Sequence, residues 1–245
     1  MMRDYAKEVE NRIKFIQNIV STSKVKGIVF ANSGGKDAAL TGILCKMACD
    51  DTVSLILPCG VASNYKSDRT DAMALSKQYN IATRGIDLAE VKEAFSRSVG
   101  ADICITDRAM ANVAPRLRMM AIYAVATSES RLVAGTGNRS ERHLGYFTKW
   151  GDGGYDFNPI ADLTATEVRG FLRYLNAPDN IINKPPSAGL YEGQTDEVDL
   201  GITYERIDKY LISGEAVPAD KAIVDRYHEA THHKRRSPLN FGVGE

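Results

Sequence analysis

Short, fully apolar runs alternate with amphipathic stretches along the first half of the chain. The clearest run spans residues 28–31, and a glycine-rich turn and a helix from about Asp37 follow it. A continuously apolar run of this length is typical of a strand buried on both faces of a parallel sheet. Because strands alternate with helices, we predict an α/β fold, a doubly wound parallel sheet with helices on both faces, in a single domain. Two small domains are the alternative.

The same patterns assign the remaining elements. The same rhythm predicts further strands at residues 53–57 and 131–134, and residues 81–86 are a further candidate strand. Helical periodicity predicts helices at residues 4–20, 67–79, 88–99, 116–126 and 164–175. Thr164 is expected to cap the last of these. Residues 184–201 form a long irregular stretch with two prolines and three glycines, which is typical of a mobile functional loop.

Composition and charge exclude several classes of partner. Hydrophobic residues make up 44% of the 245 residues and charged residues 25%, which suffices to build a packed core. Lys plus Arg and Asp plus Glu both number 31, so the formal net charge is zero. We therefore expect neither a nucleic acid nor a membrane as a partner.

The cysteines and histidines do not form a metal-binding motif. Cys45, Cys49, Cys59 and Cys104 include no C-x-x-C pair, and the four histidines do not complete a zinc spacing. The charged N-terminal segment lacks the apolar core of a signal peptide, and no run reaches membrane-spanning length. We expect reduced thiols and a cytoplasmic protein.

The segment Ser33-Gly34-Gly35-Lys36-Asp37 lies between the first predicted strand and its helix. Glycines let the backbone turn tightly and direct several N–H groups at an anion, and the positive end of the following helix adds attraction. Because Asp37 would repel a bare phosphate, it implies a bridging cation, most simply Mg²⁺. The loop follows neither the Walker nor the G-x-G-x-x-G pattern. A plain strand-to-helix turn is the alternative.

Six stretches of sequence together resemble one enzyme family. The loop is similar to the S-G-G-x-D-[ST] loop of the ATP pyrophosphatase superfamily. In chain order, the other stretches are NVAPRLRM (residues 112–119), GTGNRSERHLGYFTKW (135–150), GDGGYDFNPI (151–160), KPPSAGLYEGQTDEVDLGITY (184–204) and HKRR (233–236). Over nearly the whole chain, in this order and spacing, they resemble ammonia-dependent NAD synthetase.

The resemblance implies a two-step, AMP-forming ligase reaction. The nicotinate carboxylate of deamido-NAD attacks the α-phosphate of ATP, which gives an adenylated intermediate and pyrophosphate, and ammonia then displaces AMP to form NAD. Mg²⁺ and basic groups would neutralise the charge at phosphorus. A homodimer is also implied. Because 245 residues leave no room for a glutaminase domain, we expect one domain over residues 1–245 and ammonia that is free or comes from another chain.

Site residues are implied by the same resemblance. Asp37 and Glu141 would ligate Mg²⁺ in catalysis, and Asp196, with Glu197 beside it, would accept a proton from ammonium. The residues expected to contact ATP are Ala31, Ser33, Gly34, Gly35, Lys36, Asp37, Ala38, Thr136 and Ser187. Those expected to contact deamido-NAD are Arg116, Lys149, Asp156, His233 and Lys234. Without the resemblance, Glu141 would be a solvated charge, Arg116 part of a surface salt bridge, and residues 232–236 a basic tail.

Two positions depart from the family pattern. Ala38 replaces the usual Ser of the phosphate loop, and Ala165 stands where the pattern has a lysine that contacts the ATP phosphates. Losing one charge-assisted contact costs roughly 1.5–3 kcal/mol. We expect Lys36 or Lys184 to supply the missing charge. The alternatives are a degenerate dinucleotide-binding paralogue, against which the intact metal ligands argue, and a related adenylating ligase for another carboxylate.

Overall fold

The described residues of the computed structural model, 3–191, 193–238 and 240–242, form a parallel four-stranded sheet flanked by helices. The strands are β1 Gly27–Ala31, β2 Thr52–Ile56, β3 Ala82–Gly85 and β4 Arg131–Ala134. Their order in the sheet is β3-β2-β1-β4, and every neighbouring pair is parallel. The predicted parallel α/β class is confirmed.

Helices precede, connect and follow the strands. In chain order they are α1 Tyr5–Ser23, α2 Lys36–Ala48, α3 Ala62–Tyr65, α4 Ser67–Gln78, α5 Ala89–Gly100, α6 Asp107–Glu129, α7 Arg139–Leu144, α8 Ala165–Tyr174, α9 Asp179–Ile182, α10 Asp196–Leu200, α11 Tyr204–Ser213 and α12 Pro218–Ala230, with a 3₁₀ turn at His232–Lys234. Helices α1, α2, α4, α5 and α8 agree with the predicted helices to within a few residues. In this part of the chain, none of the helices is both long and apolar enough to span a membrane.

Both faces of the sheet are covered, because alternate side chains of β1 enter different apolar clusters. Ile28 and Phe30 are fully buried against residues of α1, α2 and α8. Val29 is fully buried on the opposite face, against residues of α6. Each such side chain contributes about 1.5–3 kcal/mol of burial free energy. The predicted doubly wound arrangement is therefore confirmed.

The direction in which strands are added reverses between β1 and β4. From β1 the chain adds β2 and β3 on one side, and then returns to place β4 on the other side of β1. The loops after β1 and β4, residues 32–35 and 135–138, therefore leave the same edge of the sheet next to each other. Ligands of open α/β sheets bind at such a switch point, and the predicted phosphate loop lies there.

Helix α6 differs from the prediction. It begins at Asp107 rather than at Arg116, and Pro115 lies in its interior. The hydroxyl of Thr106 caps it by accepting a hydrogen bond from the N–H of Ala109 (3.3 Å). The predicted start was wrong because a proline removes only one intrahelical hydrogen bond, whereas α6 buries apolar residues on both sides of Pro115 against the sheet.

The segment 184–201 is irregular for most of its length, as predicted, but it ends in the helix α10. The N–H of Asp196 donates to the carbonyl oxygen of Pro186 (3.0 Å). The N–H of Ala188 donates in turn to the Asp196 carboxylate (3.1 Å). These two hydrogen bonds close the segment on itself and hold Asp196 in one position.

Two histidine rings stack where α7 packs against α12. The ring centroids of His143 and His228 are 4.1 Å apart, and the ring planes differ by 20°. Burial, together with the charges of His228 and Arg235, lowers the pKa of His143 to about 4. The folded protein thus keeps this imidazole neutral at pH values where the unfolded chain binds a proton.

We expect this lowered pKa to make the protein sensitive to acid. Above pH 6.5 the imidazole of His143 is neutral in both the folded and the unfolded state, so it costs no stability. As the pH falls from 6.5 to about 4, only the unfolded chain binds the proton, and the free energy of unfolding decreases. A pKa unit is worth about 1.4 kcal/mol, but the side chain is half-buried, so after solvent screening we expect about 1 kcal/mol between pH 7 and pH 5. In urea unfolding at these two pH values, His143→Phe should lose about 1 kcal/mol less than the wild type. Exposed His232→Phe is the control, and equal losses for His143→Phe and wild type would contradict the shift.

Candidate active site

The loop after β1 is held in a conformation that requires glycine. Gly34 has φ +71°, and a Cβ atom there would lie 2.3 Å from the carbonyl oxygen of Asp68. The Asn32 side chain accepts a hydrogen bond from the N–H of Gly34 (3.2 Å) and donates to the carbonyl oxygen of Ala72 (3.3 Å). Helix α2 begins directly after Gly35. Its unpaired N–H groups and positive dipole end therefore form an anion site.

Asn32 is a part of this loop that the sequence patterns did not identify. Its signal is local, because an Asn directly after a strand and two residues before a Gly is typical of an Asx turn. Ser33, which was predicted, is exposed, and its hydroxyl accepts a hydrogen bond from the N–H of Gly35 (3.3 Å). The hydroxyl of Ser33 is thus accessible to a ligand on the loop.

One asparagine holds two carboxylates in the same site. Asp37 is in the first turn of α2, and Glu141 is in the first turn of α7. The buried Asn138 side chain donates to Asp37 Oδ1 (3.0 Å) and accepts from the N–H of Glu141 (3.0 Å). Glu141 Oε2 accepts in return from the N–H of Asn138 (3.0 Å). This capping box, whose N-x-x-E signal is visible in the sequence, brings together the two residues predicted to ligate Mg²⁺.

The ammonium of Lys36 is buried beside these carboxylates. Its Nζ atom lies 2.5 Å from Asp37 Oδ2 and 5.5 Å from the centroid of the Tyr204 ring, and only 4% of the side chain is exposed. Burial disfavours the charged form, but the charges of Asp37 and Glu141 outweigh burial and raise the pKa of Lys36. The side chain therefore stays an ammonium.

The carboxylates of Asp37, Glu141 and Asp196 lie near the Lys36 ammonium. Burial, followed by the charge of Asp37, raises the pKa of Glu141 well above its usual range, while Lys36 opposes that shift. Burial also raises the pKa of Asp196 to about 6. The hydroxyl of Tyr204 donates to the Asp196 carboxylate (3.2 Å). The three predicted catalytic carboxylates are thus close enough for their charges to interact.

The donor set suits a magnesium ion that shares its coordination with a nucleotide. Asp37 and Glu141 offer carboxylate oxygens, and Mg²⁺ in nucleotide-dependent enzymes usually takes one or two carboxylates together with phosphates and water. Within residues 3–191, 193–238 and 240–242, no three His, Cys, Asp or Glu side chains are grouped to hold a metal by themselves. Burial and the charge of Asp37 raise the pKa of Glu141, and a divalent cation would offset both effects. These residues therefore fit Mg²⁺ bound together with ATP phosphates.

A cavity of about 290 Å³ opens next to the acid pair, and Glu141 forms part of its wall. The wall is otherwise mainly basic and aromatic, with Phe147, Lys149, Trp150, Tyr155, Lys234 and Arg235 among its residues. Aromatic faces and cations suit a planar ring and phosphate groups. Lys149 and Lys234 were predicted here, whereas the aromatic side chains were not.

Hydrogen bonds connect most of the residues predicted to contact the dinucleotide. Arg116 donates to the carbonyl oxygen of Lys149 (3.3 Å), and the Lys149 ammonium donates to the carbonyl oxygen of His233 (2.8 Å). Lys234 donates to two carbonyl oxygens within residues 145–147 (2.7 Å each). His233 is exposed. The C-terminal segment is thereby fastened to the rim of the cavity.

Asp156 lies apart from this group. Its carboxylate accepts hydrogen bonds from the N–H of Val133 in β4 (2.7 Å) and from the hydroxyl of Tyr123 (3.1 Å). The adjacent Tyr155, rather than Asp156, lines the cavity. A contact between Asp156 and a ligand stays a prediction.

The remaining predicted ATP contacts lie around the loop at different depths. Ala31 ends β1, and Ala38 is buried in α2. Thr136 is half-buried in the loop after β4. Ser187 is exposed, and its hydroxyl accepts a hydrogen bond from the N–H of Gly189 (3.1 Å). Their contact with a nucleotide also stays a prediction.

Ala165, which replaces the phosphate-contacting lysine of the family pattern, is buried. Its methyl group belongs to the apolar cluster that contains Leu144 and Tyr204. Its N–H donates to the hydroxyl of Ser140 (3.2 Å). Because alanine carries no charge, position 165 supplies none to the site in this chain.

Of the two lysines expected to replace the missing charge, Lys36 is the one inside the site. The Lys184 ammonium lies 2.8 Å from Asp68 and 2.7 Å from Asp71, and 3.4 Å from the carbonyl oxygen of Gly34. Two carboxylates of α4 therefore balance Lys184 on the outside of the phosphate loop.

A phosphate-binding loop at a switch point, a partly buried acid pair and a basic, aromatic cavity define a nucleotide-dependent enzyme of the α/β class. A family model described as NAD synthase matches residues 8–238. The NH(3)-dependent NAD(+) synthetase of Carboxydothermus hydrogenoformans is 40% identical over 241 residues, which cover 97% of this chain and 98% of that protein. The chain therefore belongs to the NAD synthase family.

Solved structures with the same fold include two synthetases. The NMN synthetase of Francisella tularensis superposes with a TM-score of 0.93 at 34% identity and covers 98% of this chain and 100% of that chain. The NH3-dependent NAD synthetase of Campylobacter jejuni superposes with a TM-score of 0.80 at 29% identity and covers 98% and 99%. These two enzymes are named for different products, NMN and NAD.

The two roles of Asn138 can be separated by mutation. Asn138→Ala removes the helix cap and the bond to Asp37, so we expect the free energy of unfolding to fall by about 1–2 kcal/mol. Asn138→Ser keeps a capping oxygen but lacks the amide donor, so it should lose less than half as much. Calorimetry should show at least a roughly tenfold loss of Mg·ATP affinity in both variants, because both release Asp37. Wild-type affinity in Asn138→Ser would contradict a role for the bond to Asp37.

Proposed function

We propose that the protein is an ammonia-dependent, AMP-forming ligase that amidates the nicotinate carboxylate of deamido-NAD to give NAD, AMP and pyrophosphate. The observation that carries this proposal is the position of Glu141, which interacts with the acid cluster at the phosphate loop and also lines the cavity. A nucleotide on the loop and a carboxylate in the cavity would meet at this residue. The family, and the name of the relative that is 40% identical, support the reaction.

In the first step, the substrate carboxylate attacks the α-phosphate of ATP and releases pyrophosphate. Adenylation makes the carboxylate oxygen part of a leaving group. The phosphates would be bound by the N–H groups at the start of α2 and by Lys36, with Ala31, Ser33, Gly34, Gly35, Ala38, Thr136 and Ser187 around the nucleotide. Asp37 and Glu141 would hold Mg²⁺, which would neutralise the negative charge that develops at phosphorus.

The cavity would hold the nicotinate-bearing substrate. Lys149 and Lys234 would supply cations for its phosphates. Arg116 and His233 are hydrogen-bonded to Lys149 at the rim of the cavity. The aromatic side chains of the wall would stack on the planar nicotinate ring. A contact between Asp156 and the ribose hydroxyls rests on the family resemblance alone, because its carboxylate accepts hydrogen bonds from Val133 and Tyr123 and does not line the cavity.

In the second step, ammonia displaces AMP. Ammonium has no lone pair, so a base must first remove one proton. Asp196 is the proposed base, because burial raises its pKa to about 6, and a base is most effective when its pKa lies near the working pH. The Tyr204 hydroxyl would keep its carboxylate in place.

A direct assay tests the reaction. Purified protein would be incubated with ATP, Mg²⁺, deamido-NAD and ammonium, and AMP and NAD would be followed by chromatography. We expect equal amounts of AMP and NAD. Binding of deamido-NAD without AMP formation would instead indicate the degenerate paralogue, which nothing in the family comparison supports. Neither binding nor turnover would point to another carboxylate substrate for the same loop.

A second candidate substrate is nicotinate mononucleotide, the acid whose amide is NMN. Two observations favour it. The TM-score with the NMN synthetase is 0.93, against 0.80 for the Campylobacter NAD synthetase. The cavity of about 290 Å³ is also at the small end of ligand pockets and suits one nucleotide better than two. Measuring kcat/KM for both acids separates the candidates, and a preference of tenfold or more for the mononucleotide would replace deamido-NAD while keeping the chemistry.

Lys36 is expected to supply the phosphate contact that Ala165 cannot. Lys36→Ala should lower kcat/KM by at least about a hundredfold, because the charge-assisted contact and the balance of the acid cluster are both lost. Lys184→Ala should cost less than roughly tenfold, since its ammonium already has two carboxylate partners. Lys46→Ala, at the far end of α2, is the control. Near-normal turnover in Lys36→Ala would contradict the compensation by Lys36.

We also propose that residues 1–245 form one NAD synthetase-like domain, and that it works as a homodimer in the cytoplasm. Free cysteines suit a reducing compartment. Val91 and Phe95 of α5 and Met120 of α6 are exposed apolar side chains that a second copy could cover. Light scattering coupled to gel filtration tests the dimer, and a single peak at 26.9 kDa would contradict it.

A further inference from the structure

The Lys36 ammonium and a metal ion would compete for the carboxylate of Asp37. Asp37 Oδ2 is 2.5 Å from Lys36 Nζ, and Asp37 Oδ1 accepts from the amide of Asn138 (3.0 Å). Both oxygens of a proposed Mg²⁺ ligand therefore already have partners. The amide bond is compatible with a metal, because a carboxylate oxygen has a second lone pair. An ammonium and a divalent cation on one oxygen, however, repel each other.

Lys36 also balances the charge of the whole acid cluster. Asp37, Glu141 and Asp196 all act on its ammonium and favour its charged form. Buried carboxylates without a cation would repel one another and shift toward their protonated forms. The ammonium therefore stabilises the cluster as a monovalent counter-ion.

We propose that Lys36 is an internal counter-ion that keeps divalent cations away from the acid pair until ATP binds. The proposal rests on the metal ligands of the proposed function. The phosphates of ATP would offer the ammonium a new partner and would add ligands to the metal. Lys36 can then release Asp37, and the metal and the nucleotide bind together.

A permanent ion pair is the alternative. In that case the ammonium stays on Asp37 when the nucleotide binds, and its removal destabilises the protein without creating a metal site. The two cases differ in the Mn²⁺ affinity of a nucleotide-free variant that lacks the ammonium. Lys36→Met is the suitable variant, because methionine is similar in length and uncharged. Lys46→Met, on the same helix but near its other end, is the matched control.

Mn²⁺ binding would be measured by EPR, without nucleotide and with the α,β-methylene analogue of ATP. Without nucleotide, Lys36→Met should bind Mn²⁺ at least roughly tenfold more tightly than the wild type, because its acid pair has lost the competing cation. The analogue should strengthen Mn²⁺ binding by the wild type at least roughly tenfold. Lys46→Met should match the wild type in both conditions. Adding Glu141→Gln to Lys36→Met should abolish the gain.

Thermal unfolding gives a second readout that does not depend on turnover. A ligand that binds only the folded state raises Tm. Without nucleotide, Mn²⁺ should therefore raise the Tm of Lys36→Met and leave the Tm of the wild type nearly unchanged.

Two results would overturn the proposal. One is equal nucleotide-free Mn²⁺ affinity of Lys36→Met and the wild type. The other is a wild type that binds Mn²⁺ equally well with and without the analogue, and this comparison needs no variant to fold. If the wild type, Lys36→Met and Lys46→Met all fail to bind Mn²⁺ even with the analogue, the metal site of the proposed function is itself wrong, and the proposal falls with it.

Discussion

The side chain of Asn138 joins the two loops on which the site depends. It bonds to Asp37 and caps the helix that carries Glu141, although 101 residues separate Asn138 from Asp37. The bond can form because β4 lies next to β1 and both strands end at the same edge of the sheet. Without that arrangement the phosphate loop would be an isolated turn, and Glu141 would be a surface charge. The place of β4 in the sheet therefore decides whether the acid pair exists.

Local sequence patterns predicted most of the sheet and the helices α1, α2, α4, α5 and α8, because the forces that form these elements are themselves local; α11 and α12 were not predicted. A strand covered on both faces is apolar throughout, and an amphipathic helix repeats every 3.6 residues. The start of α6 was wrong for the opposite reason. Proline is a strong local signal against a helix interior, but the burial of the surrounding apolar residues against the sheet outweighs it, and this burial is a tertiary effect.

The site could be predicted only where its residues belong to recognisable motifs. Asp37 and Glu141 stand in such motifs, and the structure brings them together through Asn138. Asn32 and Asn138 themselves look like ordinary turn and cap residues in the sequence, because their roles depend on partners far along the chain. Nor does the sequence reveal that the ammonium of Lys36 is buried among carboxylates, since burial is decided by the packing of several distant segments.

In the proposed function, the positive charge that the family pattern places on helix α8 is supplied by Lys36 of the phosphate loop. The family pattern places the phosphate-contacting lysine at position 165, whereas Ala165 of this chain is enclosed by apolar side chains. Lys36 touches Asp37, so under the proposal it would exchange that carboxylate for the phosphate. Binding couplings are reciprocal: the factor by which ATP strengthens metal binding is the factor by which the metal strengthens ATP binding. If Lys36 acts as proposed, the departure of this chain from the family pattern would make nucleotide and metal binding depend on each other through one side chain.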